Sequence, residues 1–443
     1  MDFASAVKFL QTTTNESVSR RHPGRLDRMH ELLALVGDPQ REFKSIHVGG
    51  TSGKGSTATM AATMLRSAGF KVGLHTKPHL RSVTERACID GAPVSEERFA
   101  AIIEEMMPAV REMERGPHGA PSYFELLVAL AFKLFAQERV DCAVVEVGIG
   151  GKLDGTNVLL PLVSVLTNVG TDHADVLGDT VEEIAADKSG IIKQGVPVVT
   201  AAEHPGALHV IEEAALRARA PLTRVQSAAK ISSQARGAYE QRAEIGTERA
   251  TYSFSMPLLG EFQVTNAATA IVALEQVSDL LPVSPTQVEH AMSSVVLPGR
   301  MEFYPSRPAL LFDVAHNAEK AEALRGGLLR HFPDKRFTFV VAVAEGKAAR
   351  EMLAAWSTLP AHFIFTSFDV AHRTATIPQR LALTAEAAGM SARAIEDPVE
   401  ALTIARRMAG ADELVVVTGS TFLVARLREW FARNVADGSH ARA

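Results

Sequence analysis

The stretch Ile46-His47-Val48-Gly49-Gly50-Thr51-Ser52-Gly53-Lys54-Gly55-Ser56-Thr57 constrains this chain more than any other. A short apolar run, Lys44 to Val48, hands over to a glycine-rich turn, and a helical pattern then runs from Ser56 to Ala68. Glycines let a backbone wrap closely around phosphate oxygens with its N–H groups pointing inward. The start of the helix adds a partial positive charge. Lys54 supplies a full charge to the β- and γ-phosphates, and a hydroxyl such as that of Ser56 can reach a magnesium ion. The spacing departs from the standard phosphate loop: Gly50 precedes Gly53 by three residues rather than five, and Gly55 separates Lys54 from Ser56. The competing reading, a glycine-rich hairpin turn with an exposed lysine, does not account for lysine and hydroxyls gathering where a strand meets a helix.

A second motif supports nucleotide binding. The apolar run Val140–Val147 carries Glu146 at its end and leads into Gly148-Ile149-Gly150-Gly151-Lys152-Leu153-Asp154-Gly155-Thr156-Asn157. A carboxylate at the C-terminal end of a buried strand sits where ligands bind in open α/β sheets, and its oxygens suit magnesium. Further strands are expected at Val163–Leu166 and at Gly195–Val199, and a helical stretch over Val181–Lys193. The last third repeats the rhythm, with strands expected at Leu310–Val314, Phe337–Val343, Phe363–Thr366 and Leu414–Thr418 and helices at Glu319–His331 and Ser420–Phe431. Strand–helix alternation argues for parallel sheets covered on both faces. The expected fold is α/β: an N-terminal P-loop ATPase domain with a parallel-rich sheet, residues 1–296, and a C-terminal Rossmann-like α/β domain, residues 301–436, joined by Leu297-Pro298-Gly299-Arg300. Residues 225–255 read as a polar hairpin excursion and Ala436–Ala443 as a frayed tail.

Composition removes other classes. The 443 residues are 47% apolar and 22% charged with a net charge of −5, so there is no broad basic field for a nucleic-acid backbone. Two cysteines, Cys88 and Cys142, cannot make a disulfide framework. The first residues lack the pattern of a signal peptide, and no apolar stretch reaches the ~18 residues of a membrane span. A cytoplasmic monomer with small-molecule partners is expected.

Taken together, these motifs resemble the folylpolyglutamate synthase family, in the form that is often also dihydrofolate synthase, within the Mur ligase superfamily. The resemblance covers nearly the whole length. Arg25–Gln40 is similar to the family's opening helix and LGNPQ turn, and the phosphate loop to GTNGKGS. Pro121-Ser122-Tyr123-Phe124-Glu125 resembles TYFE, and VEVGIGGKLDGTN resembles EVGLGGRLDATN. Thr167–His173 and Ala186–Lys193 are similar to the TN-G-DH and EKAGIIK elements, Leu297–Glu302 to WPGRLE, and Asp313–Asn317 to DGAHN.

The resemblance implies ATP-dependent amide formation: L-glutamate joined to dihydropteroate, to (tetrahydro)folate, or to both, through an acyl phosphate. It implies ATP contacts at Thr51, Gly53, Lys54, Gly55 and Ser56, and, from the interdomain side, at Asn266, Arg300, Asp313 and His316. Lys54, Glu146, His173 and Lys188 take the catalytic positions, and Ser56, Glu146, His173 and a carbamylated Lys188 would hold one or two magnesium ions. Carbamylation requires a neutral amine, hence a buried lysine. Ser122, Tyr123, Phe124, Glu125, Leu153, Asp154 and Gly155 match the stretches that line the pterin pocket, with Phe124 either a flat apolar face for the ring or an ordinary core aromatic. One departure stands out. Thr76-Lys77-Pro78-His79-Leu80 replaces TSPHL, whose serine is a magnesium ligand, and a charged Lys77 cannot ligate a metal. Lys77 either turns away, replaces part of a metal's charge, or binds an acidic group. A Mur-type ligase acting on a non-folate acid and a nucleotide-dependent switch are the competing readings.

Overall fold

The computed structural model describes residues 1–13, 24–170, 177–370 and 373–434. His173 and the tail Ala436–Ala443 lie outside the described residues. The chain divides into two compact units, one made of Met1–Ser232, Ala243–Phe254 and Gln263–Val295, the other of Ser233–Arg242, Ser255–Phe262 and Val296–Ala443.

The first unit is built on strands β1 (Lys44–Gly49), β2 (Val72–His75), β3 (Cys88–Ile89), β4 (Ala92–Pro93), β5 (Cys142–Glu146), β6 (Val163–Leu166), β7 (Val198–Thr200) and β8 (Leu222–Arg224). They form one sheet in the order β4-β3-β2-β5-β1-β6-β7-β8. The six long members run parallel and the short β3 and β4 are antiparallel at one edge. Central strands such as β5, Cys-Ala-Val-Val-Glu, are buried along their whole length, which is why they read as unbroken apolar runs.

Helices cover the faces: α1 (Phe3–Thr12), α2 (Arg25–Leu35), α3 (Lys54–Ser67), α4 (Glu96–Met113), α5 (Tyr123–Gln137), α6 (Val181–Lys188), α7 (Pro205–Arg217), α8 (Glu261–Glu275) and α9 (Pro285–Ser294). Helix α3 packs almost its whole surface, and it can do so because Ala58, Ala61 and Ala62 keep it slim. Three starts are written in the sequence as capping boxes: Ser122 with Glu125 for α5, Thr180 with Glu183 for α6, and Ser284 with Gln287 for α9. The expected helix over Val181–Lys193 is shorter. It ends at Lys188 and tightens into a 3-10 turn, Ser189–Ile191, because Gly190 must pass close to the backbone of Lys152.

Residues 229–256 form three strands, β9 (Ala229–Arg236), β10 (Glu240–Thr247) and β11 (Thr251–Met256), in the order β11-β10-β9. The second unit carries β12 (Glu302–Tyr304), β13 (Ala309–Phe312), β14 (Phe337–Val341), β15 (Ala361–Phe365), a hairpin of β16 (Asp369–Val370) and β17 (Arg373–Thr374), β18 (Ser391–Ala394) and β19 (Leu414–Thr418). Its main sheet runs β12-β13-β19-β14-β15-β18, parallel but for β12. Helices α10 (Ala318–His331), α11 (Ala349–Trp356), α12 (Pro378–Ala387), α13 (Pro398–Met408) and α14 (Thr421–Asn434) cover it.

One buried ion pair ties α2 to the start of α5. Arg28 grips Glu125 with two hydrogen bonds, Nε to Oε2 and Nη2 to Oε1, each 2.9 Å, while Arg25 approaches the same carboxylate at 3.9 Å. Glu125 is fully buried, so removing a partner leaves a charge out of water. Arg28→Met should lower the unfolding free energy by about 3 kcal/mol, read as a shift of the urea midpoint at constant slope. A midpoint equal to wild type would show that the pair does not hold these helices.

Candidate active site

The chain order of the first sheet sends β1 to β2 on one side and β5 across β1 to β6 on the other. The C-terminal ends of β5, β1 and β6 therefore lie side by side at a reversal of strand order, where ligands bind in such sheets. The phosphate loop leaves β1 in the middle.

The loop is braced from the β6 side. Asn168 accepts from the Thr51 N–H through its carbonyl at 2.8 Å and from the Ser52 N–H through Oδ1 at 2.6 Å. The Thr167 hydroxyl donates to the Ser52 carbonyl at 2.6 Å. Gly50, at φ +133°, allows this approach, since a Cβ there would lie 2.0 Å from Thr167 Oγ1. At Gly53 (φ +83°) a Cβ would lie 2.3 Å from Asn266 Oδ1, and Asn266 is oriented by donating Nδ2 to Gln263 at 2.9 Å. Gly53 caps α3 without a side-chain hydrogen bond, so the first N–H groups of the helix have no intrahelical acceptor. Lys54 Nζ folds over the loop and donates to the carbonyls of Gly50 and Thr51 at 2.9 and 3.0 Å.

Glu146, at the end of β5, sits against the first turn of α3. A Cβ on Gly55 would lie 3.0 Å from Glu146 Oε2, which explains the glycine that separates Lys54 from Ser56. The same Oε2 accepts the backbone N–H of Lys77 at 2.9 Å. Burial and the nearby Lys54 hold the Lys77 ammonium down at about 8, and Glu146 opposes them.

Lys188 is buried, and its Nζ donates to the Gly50 carbonyl at 3.0 Å. It is brought there by close packing: a Cβ on Gly151 would lie 2.6 Å from the Lys188 carbonyl oxygen. Oxygen donors Ser56 and Glu146 flank Gly55, while among the described residues no three His, Cys, Asp or Glu converge. That set fits a magnesium ion held mainly by phosphate oxygens, which needs only one or two protein ligands.

Residues 122–125 and 153–155 come together beside β5. Ser122 is the N-cap of α5, and the Glu125 carboxylate is engaged by the Ser122 N–H and by Arg28. Tyr123 and Leu153 are half-buried. Phe124 belongs to the core, with its ring over Gly148 and next to Gly155. Asp154 Oδ1 accepts the Thr156 hydroxyl at 2.6 Å and Oδ2 accepts the Ile149 N–H at 2.9 Å. Burial opposes its ionisation, but Arg25 and the Thr156 hydroxyl outweigh burial and hold it below the ordinary aspartate value.

Sequence reasoning missed two histidines here. His47 and His75 both register with Val145 across β5, so they share one face of the sheet. The Thr156 proton is given to Asp154, so His47 Nε2 donates to Thr156 Oγ1 at 2.8 Å. His75 donates Nδ1–H to the Arg86 carbonyl at 2.7 Å. Each stands inside a short apolar strand, where a histidine reads as core.

In the second unit Asp313 ends β13 and accepts the N–H groups of Met301 and Ala315 at 2.9 and 2.8 Å. Burial raises its pKa against the pull of Arg300. His316 donates Nδ1–H to Val314 and receives Lys320 on Nε2 at 3.2 Å. Arg300 therefore lies on a segment that is hydrogen-bonded to the turn carrying Asp313 and His316, through Met301 N–H to Asp313 and Val314 N–H to the Gly299 carbonyl.

Known proteins share this organisation. Residues 48–274 match the Mur ligase middle domain and residues 299–421 the Mur ligase glutamate ligase domain. The dihydrofolate synthase/folylpolyglutamate synthase of Bacillus subtilis is 34% identical over 92% of this chain and 94% of its own. The Mycobacterium tuberculosis folylpolyglutamate synthase complexed with ADP superposes with a TM-score of 0.89 at 30% identity, covering 98% of each chain. E. coli FolC in complex with DHPP and ADP gives a TM-score of 0.84 at 27% identity over 98% of each chain. The chain is a Mur ligase, and it belongs to the folylpolyglutamate synthase/dihydrofolate synthase family.

The buried imidazoles make the first unit acid-sensitive. Burial lowers His47 to about 3 and His75 to about 4 from an ordinary 6.5. Below 6.5 the unfolded chain binds protons that the folded one does not, so stability is complete above that pH and falls as pH drops toward the folded values, by up to ~1.4 kcal/mol per pH unit per histidine. His75→Phe should flatten the fall in urea midpoint between pH 6.5 and 5; an unchanged slope would show that His75 does not drive it.

Proposed function

We propose that this protein is an ATP-dependent ligase that adds L-glutamate to dihydropteroate, to (tetrahydro)folate, or to both, with ADP and phosphate as the other products. The observation that carries the reading is a braced phosphate loop with Lys54 folded over it and Glu146 against its helix, in a chain matching this family over nearly its full length. Residues 1–296 serve as the ATP-binding domain and 301–436 as the glutamate ligase domain, joined by 297–300. Among the described residues no helix is long and apolar enough to cross a membrane. A cytoplasmic monomer that binds neither nucleic acid nor membrane completes the proposal.

The chemistry proceeds in two displacements. A carboxylate oxygen of the acid attacks the γ-phosphorus, the new O–P bond replaces the bond to ADP, and an acyl phosphate results. The glutamate amine then attacks the carbonyl carbon, phosphate leaves with its bonding electrons, and the nitrogen loses a proton. The first step makes a good leaving group out of a poor one, so the protein's share is positioning and charge neutralisation. The free N–H groups of α3 and Lys54 receive the phosphates, with Thr51, Gly53, Gly55 and Ser56 shaping the loop. Ser56, Glu146 and His173 would hold magnesium, which supplies charge neutralisation on the phosphoryl oxygens when bound. Lys188 would join them as a carbamate; its one remaining N–H could keep the bond to Gly50. Asn266, Arg300, Asp313 and His316 are assigned to ATP. Tyr123 and Leu153 are assigned to the pterin, with Phe124 backing the pocket from the core, Asp154 and Gly155 shaping its loop and Ser122 and Glu125 fixing the start of α5.

Purified protein with ATP, magnesium, glutamate and either dihydropteroate or tetrahydrofolate should give a product heavier by one glutamyl residue, with matching phosphate release. Phosphate release that ignores glutamate, with no mass gain, would reject the reading. Lys54→Ala should lower kcat/KM by about 10³-fold while thermal unfolding stays within about 0.5 kcal/mol of wild type. Retained turnover would remove Lys54 from the phosphate site.

A further inference from the structure

Three lysines surround the phosphate loop, and two of them are tied to it. Lys54 Nζ donates to Gly50 and Thr51, and Lys188 Nζ donates to Gly50. Lys77 differs. It follows the end of β2 by two residues, and the order β2-β5-β1 sets its segment beside the ends of the strands that carry Glu146 and the loop. Its backbone N–H donates to Glu146 Oε2, the oxygen that lies 3.0 Å from a Cβ built on Gly55. The backbone of Lys77 is therefore fixed one carboxylate away from the first turn of α3. The side chain is half-buried, and Lys54 and Glu146 are the charges that act on it most, ahead of Arg86 and Asp154. Yet the Glu146 oxygen nearest the segment already serves the backbone, and among the described residues Lys77 Nζ has no hydrogen-bond or ion-pair partner.

A cation withdrawn from water and set beside another cation is unfavourable unless an anion joins them. The position of the segment says which anion. It faces the helix start whose N–H groups await phosphate, beside Lys54. We infer that the Lys77 ammonium binds the terminal phosphoryl group of the nucleotide, so that this group meets two lysines, one from the loop and one from the neighbouring strand end. The inference rests on the ATP-dependent reading above. It gives Lys77 a task specific to the triphosphate: ADP lacks the group that Lys77 would hold.

The test titrates the full chain with AMPPCP and with ADP at one magnesium concentration, comparing wild type with Lys77→Met and Lys77→Arg. Lys77→Met should weaken AMPPCP by about tenfold or more, the scale of a charge-assisted hydrogen bond, while ADP stays within about twofold. Lys77→Arg, which keeps the charge, should recover much of the loss. Equal weakening of both nucleotides would place Lys77 in the shaping of the loop and overturn the inference. Unchanged AMPPCP affinity together with a raised KM for the pterin acid would assign the ammonium to the substrate carboxylate and overturn it as well. Failure of wild type to bind either nucleotide would instead strike at the ATP-dependent reading itself.

Discussion

The contact between the Glu146 carboxylate and Gly55 is the constraint on which the site depends. It sets a strand end against a helix start with no side chain between them. A carboxylate at a helix N-terminus complements the partial positive charge of the helix dipole, so the contact favours this placement of strand end against helix start. The braces from Thr167 and Asn168 hold the loop open on the other flank. Three strand ends therefore act together, and none of the three motifs forms the site alone.

Much of this was legible in the sequence because burial writes itself plainly there. The long central strands are buried on both faces, so their apolar runs mark them to within a residue or two: Val163–Leu166 and Leu414–Thr418 stand where expected. The capping boxes at Ser122, Thr180 and Ser284 are local hydrogen-bond patterns that the fold makes visible. The two-residue edge strands β3 and β4 have no period to detect, and the antiparallel β12 escaped notice too, being set by its pairing with β13. The early end of α6 is a tertiary effect, imposed by Lys152, 38 residues earlier in the sequence, and invisible in the helix's own pattern.

Within the site the motifs stood out as stretches of sequence, while the hydrogen bonds that brace them did not. Thr167, Asn168 and Gln263 carry no distinctive chemistry, and only the folded backbone aims them at the loop and at Asn266. His47 and His75 were missed because a histidine inside an apolar strand reads as core, and the register that pairs them across Val145 belongs to the sheet. Glu125 shows the reverse case. It matches a stretch expected to meet substrate, yet its oxygens are taken by Ser122 and Arg28, which gives it a structural task at the start of α5.

The glycine at 151 has a mechanical consequence. Because nothing but hydrogen separates the 148–155 turn from the backbone of Lys188, that turn and the end of α6 have no slack between them. Lys188 in turn holds the carbonyl of Gly50. A displacement of that turn is therefore passed, through close contacts alone, to the end of α6 and from there to the peptide at Gly50.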